Sequence, residues 1–225
     1  MPLLTPTNTI FFLCDIQSAF RTSIAGWDHL IFSANKLLKL ANVQRSIVGC
    51  EVVSCTQAAR ALGPLDPAID FNPLGNLHLG TFDKTIFSMT TSEVENILSA
   101  RPHIQNIVLF GIEAHICVLQ TALSLLHPTF RAKPYTPYVM ADCLASCNSW
   151  EVPIVLQRLA QEGAFVSTTE SIGFQLIGDS KHPKFKAFSA LTKESKEGTA
   201  RAGDFLVAGK RPEKETPSFV AKTSL

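Results

Sequence analysis

Apolar and polar positions alternate along this chain in two rhythms. Short apolar runs occur at 9–14 (TIFFLC), 51–55 (EVVSC), 107–110 (IVLF), 138–141 (YVMA) and 164–168 (AFVST). Each has the length of a buried strand, and unbroken apolar runs are the mark of strands covered on both faces. Segments with helical spacing lie between them. In 28–46, Leu30, Ile31, Ala34, Leu37, Leu38 and Ala41 share one face. Helices are also predicted over 91–100, with Glu93 and Glu95 near its start and Pro102 beyond its end, and over 117–126, before Pro128. Two more are predicted over 150–162, closed by Gly163, and over 170–178. Strand and helix in alternation predict an α/β fold: three layers, with a mostly parallel central sheet of about six strands flanked by helices, Rossmann-like in plan.

Two stretches break the rhythm. Residues 57–80 carry three prolines and three glycines and read as a long loop, the kind that serves a site or a lid. From about residue 193, Lys, Glu, Gly, Arg and Pro dominate. The expected organisation is one globular body over 1–192 and a flexible basic tail over 193–225, pinned at most around Phe205-Leu206-Val207.

Charge sharpens that division. Residues 1–180 hold 10 Lys+Arg against 14 Asp+Glu, and 181–225 hold 10 against 5. The basic excess is in the tail and the body is mildly acidic, which argues against nucleic acid as the body's ligand. No apolar run reaches the ~18 residues of a membrane-crossing helix. The six cysteines lie mostly in or beside apolar runs and no secretory signal is visible, so free thiols in a reducing compartment fit better than disulfides. Cys143 and Cys147 are spaced C-x3-C with no second pair, which makes zinc an unlikely ligand there. The first ten residues contain no Arg or Lys, and Thr223-Ser224-Leu225 only loosely resembles a peroxisomal signal. Cytoplasm is the default compartment, with mitochondrion open.

Candidate chemistry collects where predicted strands end. Gly111-Ile112-Glu113-Ala114-His115-Ile116-Cys117 follows an apolar strand and leads into a helix. A cysteine at a helix start faces unpaired N–H groups and the positive dipole end, and both favour thiolate. The other reading of Cys117 is a small buried apolar residue. Asp15 closes the first strand, as base or as turn former. Lys84, in Thr81-Phe82-Asp83-Lys84-Thr85-Ile86-Phe87-Ser88-Met89, is bracketed by apolar residues, as a cation for a thiolate or as a snorkelling side chain. Ligands of parallel sheets bind at strand carboxyl ends, so Asp15, Cys117 and Asp142 should share one rim.

Strand-terminal Asp15, Lys84 in FDKTIFSM and Cys117 in GIEAHICVLQTAL together resemble the isochorismatase-like superfamily of cysteine hydrolases. The closest branch is that of the isochorismatase domain-containing proteins, echoed in Thr56-Gln57 with Leu62-Gly63 and in FQLIGDSKHPKFK over 174–186. The resemblance covers about residues 8–192. It implies a triad in which Asp15 deprotonates Cys117, Lys84 stabilises the thiolate and orients the aspartate, and Cys117 attacks a carbonyl to give a thioester that water hydrolyses. It also implies an oxyanion hole from the backbone N–H groups of Glu113 and Cys117, and a non-proline cis peptide at Ile112–Glu113. Gln17, Phe20 and Gln57 are candidate substrate contacts. The other readings are ordinary core for Phe20, a solvated loop residue for Gln57, and a helix cap for Asp142.

Two departures narrow the substrate. Nicotinamidases of this superfamily bind a metal through a D-x-H type pattern after the second strand. Here that place reads Ser54-Cys55-Thr56-Gln57, with no histidine between 30 and 77. Isochorismatases proper lack the nucleophilic cysteine. The resemblance therefore implies hydrolysis of a small amide or related acyl C–N compound, with no cofactor and no metal, by a homo-oligomer of two or more copies. The alternatives are a non-catalytic interaction protein on the same fold and an RNA-processing relative.

Overall fold

The computed structural model describes residues 4–41, 49–128 and 134–210. Its six strands are β1 Thr9–Cys14, β2 Val52–Gln57, β3 His78–Lys84, β4 Asn106–Gly111, β5 Thr136–Leu144 and β6 Phe165–Ser167. They form one sheet in the order β3-β2-β1-β4-β5-β6, and every neighbouring pair is parallel. The order reverses direction between β1 and β4, the switch point where such sheets open a crevice at their carboxyl ends.

Strand alternation divides the interior in two. Phe11 and Leu13 of β1 face one core with helix α1 (Trp27–Ala41), α6 (Thr169–Ile177) and α7 (Phe185–Glu194). Ile10, Phe12 and Cys14 face the other with α3 (Ser92–Ser99), α4 (Leu119–Leu126) and α5 (Glu151–Gln161). The central strands β1 and β4 are buried at every position, which is why they read as continuous apolar runs.

β3 begins inside the segment expected to be loop, which holds its residues 78–80. It is an edge strand with one neighbour, and its residues before Lys84 are half-buried or exposed, so it lacks the apolar signature. The rest of that segment holds the short helix α2 (Ala59–Leu62) and a 3-10 turn over Asn72–Leu77. It is pinned by buried Asp66, whose carboxylate accepts from Arg21 at 2.9 Å and from Trp27 Nε1 at 3.0 Å.

The tail expected from residue 193 is not a tail through Val207. Helix α7 runs to Glu194, α8 spans Lys196–Ala202, and a π-type turn follows over Gly203–Val207. These elements are charged on their outer faces and packed on α1 by a few contacts. Lys36 Nζ donates to Thr199 Oγ1 at 2.8 Å, and the Phe205 ring lies on His29 with centroids 5.2 Å apart. Residues 211–225, and 42–46 of the predicted first helix, lie outside the described residues. Among the described residues, no helix is long and apolar enough to cross a membrane.

Candidate active site

Four chain segments meet at the carboxyl edge of the sheet. Asp15 follows β1, Gln57 and Lys84 end β2 and β3, and Cys117 lies in a π-type turn, Ala114–Val118, between β4 and α4. Register does much of the positioning. Parallel pairing sets Gln57 opposite Lys84 and Cys14 opposite Cys55. Gly111, at φ +124°, lets the end of β4 press against β1, since a Cβ there would stand 2.1 Å from the Cys14 carbonyl oxygen. The Ile112 N–H donates to that same carbonyl at 2.9 Å, and the Ile112–Glu113 peptide is cis.

Asp15 and Lys84 are sealed together. Lys84 Nζ donates to Asp15 Oδ2 and to Gln57 Oε1, each at 2.7 Å. Asp15 takes the left-handed conformation at φ +49°, uncommon for a non-glycine residue, as the chain leaves the strand. Cys55 Sγ donates to Asp15 Oδ1 at 3.2 Å and Cys14 Sγ to Oδ2 at 3.6 Å. Burial on its own would pull the Lys84 ammonium down; the negative charges that Cys14, Cys55 and Asp15 can carry outweigh it and hold Lys84 above its ordinary range. Burial pushes the Cys14 and Cys55 thiols up, so both keep their protons at neutral pH.

Cys117 reaches this cluster from the other side. Its sulfur, the Cys14 sulfur and an Asp15 carboxylate oxygen lie within 4.8 Å of one another. Gln57 Oε1 is 4.0 Å from Cys117 Sγ. Thr121, one turn along α4, accepts from the Met89 N–H and donates to the Cys117 carbonyl, tying the segment after Lys84 to the cysteine turn. Cys14, Asp15 and Cys117 are the donor set that could hold a soft cation; the Lys84 ammonium, already on the same carboxylate, competes with any such ion. Cys143 and Cys147 belong to no such group among the described residues.

The other candidates fall elsewhere. Gln17, read as a substrate contact, is fully buried and occupied by backbone: Nε2 donates to the Gly63 and Gln57 carbonyls, and Oε1 accepts from the Gln57 N–H. Its place is to hold the 57–63 segment against β1. Phe20 packs at the edge of the α1-side core. Asp142 does not join the rim cluster. β5 runs on past it to Leu144, and its carboxylate caps α6 by accepting from the Thr169 N–H at 2.8 Å and hydroxyl at 2.6 Å. The Glu113 side chain turns away to accept from the Cys147 N–H at 2.9 Å. Sequence reasoning passed over Cys14 and Cys55 as site members. Their signal was that one directly precedes Asp15 and the other sits two residues before Gln57, on strands that must pair.

The isochorismatase domain model matches residues 9–171, a span holding Asp15, Gln57, Lys84, Glu113 and Cys117. The chain belongs to the isochorismatase family. It is 37% identical over 192 residues to isochorismatase domain-containing protein 1 of Salmo salar, covering 85% of this chain and 63% of that protein. Over 187 residues it is 37% identical to isochorismatase domain-containing protein 2 of Xenopus laevis, covering 83% and 84%. The chain thus spans under two thirds of the first relative and most of the second. Among solved structures, that of MAR1 ribonuclease from Caenorhabditis elegans matches with a TM-score of 0.72 and 30% identity, over 84% of this chain and 92% of that one.

Proposed function

We propose that this chain is a cysteine hydrolase acting on a small amide or related acyl C–N compound, with Cys117 as nucleophile, Asp15 as proton carrier and Lys84 as fixed cation. The observation that carries the proposal is the enclosure of one carboxylate between an ammonium at 2.7 Å and a cysteine sulfur within 4.8 Å, on the sheet's functional edge. In the forward step the Cys117 thiol gives its proton to Asp15, and the thiolate adds to the substrate carbonyl. Backbone N–H groups of Glu113 and Cys117 receive the developing oxyanion. The C–N bond then breaks, the nitrogen leaves with the proton from Asp15, and a thioester remains. Water gives a proton to Asp15 and adds to the thioester, the acid is released, and the departing Cys117 sulfur takes that proton back from Asp15. Lys84 keeps Asp15 oriented between turns of the cycle, and Gln57 fixes the ammonium from its other side.

Iodoacetamide reactivity tests this directly. Across a pH series, Cys117 should alkylate faster than the other five cysteines near neutrality, and Asp15→Asn or Lys84→Ala should slow it. A Cys117 that reacts as an ordinary thiol, unaffected by either change, would leave the fold as a scaffold for interactions. Similarity to the C. elegans ribonuclease gives a second reading, RNA as substrate. The acidic balance of residues 1–180 weighs against it. Salt-sensitive RNA cleavage that survives Cys117→Ser would favour that reading over the hydrolase.

A further inference from the structure

Three sulfurs meet at the site, and the hydrolase chemistry employs one. Cys14 Sγ, Cys117 Sγ and an Asp15 oxygen lie within 4.8 Å of one another, and Cys55 stands opposite Cys14 in the paired strands. All three cysteines are free thiols. Cys117 retains 6% of its surface, Cys14 none and Cys55 1%, so an oxidant arriving from solvent meets Cys117 first. A metal would have to place a dication beside the Lys84 ammonium and strip protons from buried thiols. A disulfide is neutral and brings neither charge nor water into the cluster.

We propose that Cys14 is the resolving thiol for Cys117, so that a hydroperoxide converts the pair into a reversible disulfide that switches the site off and shields the nucleophile from over-oxidation. The inference rests on Cys117 being an activated thiol, as in the preceding section. In the first step the Cys117 thiolate attacks the peroxide O–O bond; the distal oxygen stays on sulfur as sulfenic acid, and the alkoxide or hydroxide leaves and takes up a proton. In the second the Cys14 thiol passes its proton to Asp15, whose Oδ2 is 3.6 Å away, and its sulfur attacks the Cys117 sulfur. Hydroxide leaves and is protonated to water. One peroxide is reduced and two thiols are oxidised; an added dithiol reverses the bond by exchange. Cys14 is assigned over Cys55 because its sulfur lies within 4.8 Å of the Cys117 sulfur, whereas the Cys55 thiol is bonded to Asp15 Oδ1 and the Leu13 carbonyl.

The experiment treats the full chain with hydrogen peroxide, blocks remaining thiols with iodoacetamide, and maps cysteines by peptide mass spectrometry. The expected product is a Cys14 peptide joined to the Cys117 peptide, with loss of Cys117 alkylation that dithiothreitol restores. In Cys14→Ser the joined peptide is absent, Cys117 proceeds to sulfinic acid, and dithiothreitol restores nothing. Equal rates of sulfinic acid formation in wild type and Cys14→Ser, a bridge to another cysteine, or a Cys117 that resists peroxide would each overturn the proposal. Should Cys14→Ser fail to fold, the wild-type linkage map decides alone, because it names the bonded sulfurs. Fast Cys117 alkylation without a bridge leaves the hydrolase reading standing and this one lost; a bridge in a protein that hydrolyses nothing does the reverse.

Discussion

Lys84 Nζ meets Asp15 Oδ2 at 2.7 Å with the lysine side chain wholly buried and the aspartate 2% exposed. Desolvating two charges is costly, and such a pair survives only when each partner compensates the other. Removing one strands the other in a low-dielectric interior at a cost of about 3–5 kcal/mol. Lys84→Met and Asp15→Asn should each lower the free energy of unfolding by about that much, and the double variant should lose well under the sum of the singles. Urea titrations of the four proteins give the coupling. Additive losses would mean that the two side chains do not act as a pair.

Alkaline pH should unfold this protein through its thiols. Burial raises Cys14, Cys50, Cys55 and Cys143 above their ordinary value of 9.0. A raised thiol keeps its proton in the folded state while the unfolded chain releases it. Its contribution is therefore complete below about pH 9 and is lost as pH rises toward the folded value. Lys84, also raised, acts in the same direction at still higher pH. Each fully buried thiol steepens the loss by about 1.4 kcal/mol per pH unit. Cys50 is remote from the site, with its Sγ on the Pro6 carbonyl at 3.5 Å. Cys50→Ala should flatten the stability–pH curve above pH 9 by about one such slope while lowering stability at pH 7. An unchanged slope would show that Cys50 ionises freely in the folded state.

Gly111→Ala probes how the cysteine turn is delivered to Asp15. The new methyl would stand 2.1 Å from the Cys14 carbonyl oxygen, and φ of +124° is foreign to alanine. That oxygen is backbone at the centre of the sheet, so it does not yield cheaply. A loss of about 2–4 kcal/mol is expected, together with slower Cys117 alkylation than in wild type. Thermal unfolding and the iodoacetamide rate report the two effects separately. Wild-type values for both would mean that β1 and β4 can part without consequence.

Legibility in the sequence followed burial. β1 and β4, covered on both faces, announced themselves as TIFFLC and as IVLF within NIVLFG. β3, paired on one side only, spells HLGTFDK; its first three residues passed for loop and the rest for no element, yet it is the strand that carries Lys84. Lys84 stood out because it is charged among apolar neighbours; its second partner, Gln57, could not be read, since the two are joined by strand register rather than by sequence. Gln17 was legible as a polar residue near Asp15 but not as one consumed by backbone bonds, because those partners come from a loop folded back over β1. The helices beyond 193 were hidden by their composition. Charge covers their outward faces, and small residues such as Gly198 and Ala202 make the inward contacts that apolar counting overlooks.

Gly198 makes those helices testable. In an exposed helix, Gly→Ala gains about 1 kcal/mol. At 198 the added methyl would fall 2.3 Å from a Phe32 ring carbon, closer than any real contact, so the ring or α8 must shift. Phe32 is half-buried and has some room to turn, which limits the penalty. A net loss of about 1–2 kcal/mol is expected for Gly198→Ala, where clash outweighs propensity. In a Phe32→Leu background the same change should recover most of that loss, because the smaller side chain vacates the space while the helix keeps its gain. Denaturant midpoints of the four proteins provide the measurement. A Gly198→Ala that stabilises both backgrounds equally would mean that α8 does not rest on α1, and would return residues beyond 193 to the tail their composition suggests.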